Sequence, residues 1–229
     1  MTRLSFVIGL IAAAYPLHAG DVDGQLLITK RLTKKAVTPT VYDLRGAATP
    51  AVPMDSAVNE FDRVIVMVEG GNAPSKQPET ITINQRNTSF DPDLAVIPVG
   101  STVEFPNWDP IFHNVFSLSG AKSFDLGFYP QGQSRTVKFT HSGVVQVYCH
   151  IHSNMYAAIV VTSSPWYGRP SADGTFSFHD VPAGHYRITA WHKIAGLYRT
   201  GVDVPGTGNV SVKLRIPIDV GSRETASRP

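Results

Sequence analysis

The sequence predicts an all-β protein made of two small β-sandwiches. Three observations carry this expectation. Short runs in which apolar and polar residues alternate recur along the chain, as half-buried strands require. The 19 glycines and 17 prolines are enough to close a turn after each run, and many short strands with regular turns point to sandwiches. No segment keeps apolar residues at helical spacing through three turns.

At 229 residues the chain can hold one large or two small domains. Residues 1–19 read as a secretory signal peptide. Arg3 supplies the positive start, residues 4–16 an apolar core too short to span a bilayer, and Ala19 a small residue at the cleavage point. The expected location is periplasmic or secreted, with no stable membrane insertion after cleavage. The formal net charge is +2, and removing Arg3 takes one from it, leaving +1. So near-neutral a balance argues against nucleic acid as a partner.

Residues 20–72 are expected to supply the first strands of one sandwich. Gly24-Gln25-Leu26-Leu27-Ile28-Thr29-Lys30 reads as a strand, and residues 34–59, rich in Thr, Pro and Ala, as loop. Arg63-Val64-Ile65-Val66-Met67-Val68-Glu69 is β-branched and apolar, which predicts a buried strand. The Gly-Gly and Pro signals of residues 70–78 mark a long loop.

Residues 79–163 are expected to form a sandwich of their own. Gly143-Val144-Val145-Gln146-Val147-Tyr148-Cys149 has period two, so Val145, Val147 and Cys149 share one face and Gln146 and Tyr148 the other. In Asp109-Pro110-Ile111-Phe112-His113-Asn114-Val115-Phe116, His113 and Val115 share a face opposite Asn114 and Phe116. A thiol and an imidazole can therefore converge at one end of a sandwich. Ala157-Ala158-Ile159-Val160-Val161-Thr162 closes the sheet, and Met155 sits in the turn before it.

Residues 164–218 return to alternation. Asp173-Gly174 is a hairpin signal and Val181-Pro182-Ala183-Gly184 a turn. Tyr186, Ile188 and Ala190 alternate with Arg187, Thr189 and Trp191. Val210, Val212, Leu214 and Ile216 alternate with Ser211, Lys213 and Arg215, as in a half-exposed strand. Residues 219–229 are a polar tail, expected to be disordered.

The chemistry concentrates in Tyr148-Cys149-His150-Ile151-His152-Ser153-Asn154-Met155. Cys149 is the sole cysteine, so it forms no internal disulfide; in an exported protein such a thiol is free, paired between chains, or used in chemistry. Thiolate, imidazole and thioether together suit copper, and two His, one Cys and a long axial Met make a blue-copper electron-transfer site. The second imidazole comes from His113. The expected ligands of one type 1 copper ion are His113, Cys149, His152 and Met155, and no residue is assigned a catalytic role.

These residues resemble the cupredoxins, the plastocyanin- and amicyanin-like blue copper proteins, which are Greek-key sandwiches. The Tyr-Cys-x-x-His-x-x-Met run is similar to the C-terminal ligand loop of amicyanin, and Phe112-His113-Asn114-Val115 to the upstream ligand of plastocyanin. The run from Phe90 to Asn107 is similar to the family's early strands. The likeness covers residues 81–162. It implies that His152 reaches the surface within an apolar patch, with Ile151 a neighbour, and forms the electron exit. It implies that Asn114 helps tie the two ligand loops together, as outer-shell hydrogen bonds do. By the same likeness the partner is a redox protein, such as a c-type cytochrome or a periplasmic dehydrogenase.

The run Asp173-Gly174-Thr175-Phe176 through Ile188 resembles carboxypeptidase-regulatory-like domains, small transthyretin-like sandwiches without chemistry of their own. That family has two strands before its Asp-Gly-x-Phe hairpin. Here residues 79–163 occupy that place, and the strands near Leu27 and Val66 lie upstream. The copper sandwich is therefore expected to be inserted into the second one.

Two other classes were weighed: a copper-binding or delivery module, which no Met-rich or His-rich tract supports, and a metal-free structural or adhesion protein. A multicopper oxidase would use His150, directed away from the thiol, to reach a second copper centre. The chain lacks the paired histidines for that, so an electron carrier rather than an enzyme is expected.

Overall fold

A computed structural model of the chain describes residues 19–29, 59–71 and 75–216. The signal peptide expected over 1–19, apart from Ala19, nearly all of the loop expected over 34–59, and the tail expected from 219 lie outside the described residues.

The fold is all-β. In chain order the strands are β1 (Ala19–Ile28), β2 (Val64–Glu69), β3 (Thr80–Thr82), β4 (Asn84–Arg86), β5 (Ser89–Asp91), β6 (Leu94–Pro98), β7 (Thr102–Pro106), β8 (His113–Ser119) and β9 (Lys122–Tyr129). They continue with β10 (Ser134–Lys138), β11 (Gly143–Tyr148), β12 (Tyr156–Thr162), β13 (Tyr167–Gly168), β14 (Thr175–Pro182), β15 (Gly184–His192), β16 (Gly196–Val204) and β17 (Asn209–Ile216). One 3-10 turn, Glu60–Arg63, precedes β2, and the Asn59 side chain accepts a hydrogen bond from the Phe61 N–H at its start.

Two sandwiches result. In the first, the sheet β6-β12-β11-β8-β9 faces β10-β7-β3, with the hairpin β4-β5 alongside. Its core holds Phe105, Phe139, Val145, Val147, Ile159 and Cys149. In the second, β13-β2-β15-β16 faces β14-β1-β17. β1 runs parallel to β17, from Asp21↔Asn209 to Ile28↔Ile216, and antiparallel to β14. β2 pairs with β15, Val66 opposite Ala190 and Val68 opposite Ile188. Val64, Val66 and Val68 pack with Leu26, Phe178, Tyr186, Ile188 and Leu214. Strands that precede residue 79 thus share sheets with strands that follow residue 163.

Three local expectations need correction. β1 begins at Ala19 rather than Gly24. Gly20, Asp21 and Asp23 are poor strand formers, but β14 and β17 supply ladders on both sides, and context overrides propensity. Gly24 is a glycine for a steric reason: a Cβ there would sit 2.0 Å from the Phe176 ring. Asp173-Gly174 is a tight turn, with Gly174 at φ +88 and Asp173 Oδ1 accepting from the Thr175 N–H and hydroxyl. It does not join a hairpin, because β13 pairs with β2 while β14 pairs with β1. Finally, Thr189 and Trp191 are buried as well as their alternating partners.

That last burial has a cause. Val64, Val66 and Val68 of β2 point into the second core, while Ile65 and Met67 point the other way. Ala157, Ile159 and Val161 of β12 point into the first core, while Ala158 and Val160 turn outward. Ile65, Met67, Trp191, Leu94, Ala158 and Val160 meet in a third apolar layer between the sandwiches. Polar contacts flank it. Lys193 Nζ donates to Asp93 Oδ2 (2.5 Å) and lies 4.7 Å from the Tyr156 ring centroid, and Arg169 donates to the Leu94 and Asp62 carbonyls. Burial pushes the Lys193 ammonium below the usual lysine value, against the pull of Asp93.

His192 is fully buried in the second sandwich. Its Nδ1 accepts from the Ile194 and Ala195 N–H groups, so Nε2 carries the proton and donates to Glu60 Oε2 at 3.1 Å. Burial lowers its pKa below 6.5; Glu60 opposes this and Arg63 assists. The unfolded chain therefore binds a proton at a pH where the folded one does not. Stability from this residue is complete above 6.5 and is lost as pH falls toward the folded value. Denaturant unfolding between about pH 5 and pH 7 should show stability falling with acid, and His192→Gln should flatten that slope.

Candidate metal centre

The site lies at one end of the first sandwich, where β8 begins and β11 ends. The alternation of β11 sends Val145, Val147 and Cys149 inward, and all three are buried. His113 opens β8 and is wholly buried, and His152 stands half-exposed in the loop between β11 and β12. Their ligand atoms converge. His113 Nδ1 lies 3.1 Å from His152 Nδ1, and Cys149 Sγ lies 3.7 Å from His152 Nδ1. One ligand atom from each of the three falls within 4.8 Å of the others. Among the described residues this is the group of His, Cys, Asp or Glu side chains arranged so closely.

Ligand atoms each about 2.0–2.3 Å from one ion stand roughly 3.5–4.0 Å apart in a three-coordinate plane. The 3.7 Å separation of Cys149 Sγ and His152 Nδ1 matches this, and the 3.1 Å separation of the two ring nitrogens must widen by a few tenths of an ångström to admit an ion. Two ring nitrogens and a sulfur also form a donor set suited to copper. Met155 is buried in the same core as Cys149, and its N–H donates to the His152 carbonyl (3.0 Å), which closes the loop as a turn.

His113 is held from behind. Its Nε2 donates to Asp109 Oδ2 at 2.8 Å. A carboxylate only accepts, so the neutral ring keeps its lone pair on Nδ1, the atom facing His152 and the thiol. Asp109 also accepts from the N–H groups of Asn87 (2.7 Å) and Thr88 (2.8 Å). Both residues have positive φ, +54 and +52, and for β-branched Thr88 that conformation is strained. The carboxylate thus fixes the β4-β5 turn and the ligand together. Burial works to raise the Asp109 pKa, but the hydrogen bonds from Thr88, His113 and Asn87 outweigh it and hold the carboxyl below its usual value.

Asn107 braces the same loop. Its Oδ1 accepts from the Asp109 N–H, and its Nδ2 donates to the Ile111 and Tyr129 carbonyls. Beneath it Gln85 Nε2 donates to the Tyr129 hydroxyl, which donates to the Phe105 carbonyl. Burial raises the Tyr129 pKa. Asp109 and Asn107 had no role in the sequence reading. Their signal was the Asn-x-Asp-Pro run, an Asx-turn pattern four residues before His113.

Asn114 acts differently from the expectation. Its Nδ2 donates to Asp125 Oδ1 at 2.7 Å, and its buried Oδ1 has no hydrogen-bond partner. Its amide reaches β9 rather than the Cys149–Met155 loop. The link runs through Asp125, whose Oδ2 lies 3.4 Å from His150 Nε2. Asp125 is held below its usual pKa, first by the Gly127 N–H and then by Asn114. His150 is exposed and stacks on Phe116, centroids 3.9 Å apart at 5°. Ile111, Phe112 and Ile151 are large apolar residues left exposed on the ligand-bearing loops.

No protein-family model matches the chain, and no curated protein does. Some solved structures are similar over part of it. A reduced Cu(I) amicyanin mutant is 25% identical over 36% of this chain and 82% of its own, with a TM-score of 0.34. A second Cu(I) amicyanin mutant is 24% identical over the same shares, with a TM-score of 0.34. A copper-containing nitrite reductase from Thermus scotoductus is 28% identical over 41% of this chain and 24% of its own, with a TM-score of 0.35. At such TM-scores the likeness carries no weight of its own.

Removing the Asp109 carboxylate leaves the buried His113 N–H without an acceptor. Asp109→Ala should cost the metal-free protein about 1–3 kcal/mol or more, the penalty for a buried unpaired donor. Urea unfolding measures it; a loss under about 0.5 kcal/mol, typical of an ordinary surface change, would show that the brace is not structural.

Proposed function

We propose that this chain is an exported type 1 copper protein of cupredoxin type that carries single electrons between redox partners. The observation that supports it best is the convergence of His113 Nδ1, His152 Nδ1 and Cys149 Sγ at the buried end of a β-sandwich. Met155 would be the fourth residue to hold the ion, through its thioether. Copper held there supplies a one-electron couple.

The chain's own residues do the rest. Asp109 and Asn107 hold His113 in one orientation, so little can rearrange when the charge at the site changes. The core around Val147, Cys149 and Met155 keeps water from the sulfur. His152, half-exposed, is the route to the surface. Exposed Ile111, Phe112 and Ile151 offer a redox protein such as a c-type cytochrome an apolar contact with little ordered water to displace. The second sandwich is read as a regulatory-like scaffold into which the copper sandwich is inserted.

Copper-loaded protein should show an intense visible band that a reductant bleaches reversibly. Cys149→Ser should abolish that band while the sandwich still folds, because thiolate-to-copper(II) charge transfer produces it; a band kept in this variant would remove Cys149 from the ligand set. Met155→Leu should keep copper bound and raise the reduction potential, since loss of a weak donor disfavours Cu(II) more than Cu(I). An unchanged potential in voltammetry would make Met155 a packing residue only.

A further inference from the structure

The junction of the two sandwiches leaves a cleft of about 720 Å³, between β2, β15 and β16 on one side and β11 and β12 on the other. None of the metal-centre residues lines it. Small-molecule sites occupy roughly 300–1,000 Å³ and concentrate at domain junctions. Its floor is apolar, formed by Met67, Val160 and Trp191.

Its charged groups are unevenly matched. Glu69 Oε2 accepts from Thr189 Oγ1 at 2.8 Å and lies 3.4 Å from Arg199 Nε. Glu69 and Arg199 thus offset each other. Arg187 stands opposite Glu69 in the β15-β2 register and is exposed, and its guanidinium makes no hydrogen bond or ion pair among the described residues. Among the described residues the cleft therefore holds one uncompensated guanidinium above an apolar floor.

We propose that this cleft binds a small organic monoanion, a carboxylate carried on an aromatic or other apolar body. A guanidinium presents a planar fork that pairs with both oxygens of a carboxylate. The apolar body would rest against Met67, Val160 and Trp191. The Glu69 charge disfavours a dianion such as a phosphate monoester, for which only Arg187 is free.

The test titrates the full-length protein with benzoate and, separately, with uncharged benzamide, following amide and indole shifts by NMR. Benzoate should bind saturably, and benzamide should bind much more weakly. Arg187→Gln should weaken benzoate roughly tenfold or more, the scale of a lost charge-assisted pair. Arg215→Gln, an exposed change on β17 in the far sheet, should leave binding unaltered. Three results would overturn the proposal: no saturable benzoate binding, equal binding of benzamide, or full affinity in Arg187→Gln with an unchanged fold.

Discussion

The architecture depends on two strands that have no solvent side. β2 and β12 bury apolar side chains on both faces, and each belongs to two cores at once. Burial of apolar area stabilises by roughly 25 cal/mol per Å², so a strand that counts on both faces contributes about twice what a half-exposed one does. It also couples its two layers. A change at Val160 is felt in the layer shared with Trp191, and through the β12 backbone at Ile159 in the first core. The metal-bearing sandwich and the second sandwich therefore share one apolar layer, although no residue of the second sandwich lies in the site.

The site itself shows how a fixed acceptor can organise a flexible loop. Asp109 is the common partner of three donors: His113 Nε2 and the N–H groups of Asn87 and Thr88. Remove it and a strained turn, a buried ring and the loop behind them lose the same anchor. Asn107 secures Asp109 in turn through its backbone N–H. The chain from Asn107 to His113 sets which ring nitrogen faces the thiol, a condition for any metal chemistry there.

Much of this was legible in the sequence, for physical reasons. Period-two alternation in Gly143–Tyr148 sends Val145, Val147 and Cys149 inward whatever the strand's neighbours. The uninterrupted apolar runs at Val64–Val68 and Ala157–Val161 announced buried strands. What escaped reading depended on tertiary neighbours. Arg187, Thr189 and Trp191 form a regular alternating face, and only the second sandwich's position shows that part of it is covered. The partner of the Asp109 carboxylate depends on loop geometry that spacing does not encode. Asn114 was expected to help tie the ligand loops together, and its amide donates to Asp125 on β9, a partner that spacing does not encode. Asp173-Gly174 reads as a hairpin signal, yet it is a turn whose flanking strands pair elsewhere.

One feature of the topology bears on how the protein is made. β1 lies against β17, and Asn209 Nδ2 donates to Asp23 Oδ2 across 186 positions of sequence. A chain that emerges amino-terminus first presents β1 and β2 long before β14 to β17 exist. Residues 79–163 can complete their own core in the interval, while the earliest strands wait with open edges. Unpaired edges are templates for wrong partners, and such late, long-range pairing is slow. The early strands stay exposed to such pairings until the last strand arrives.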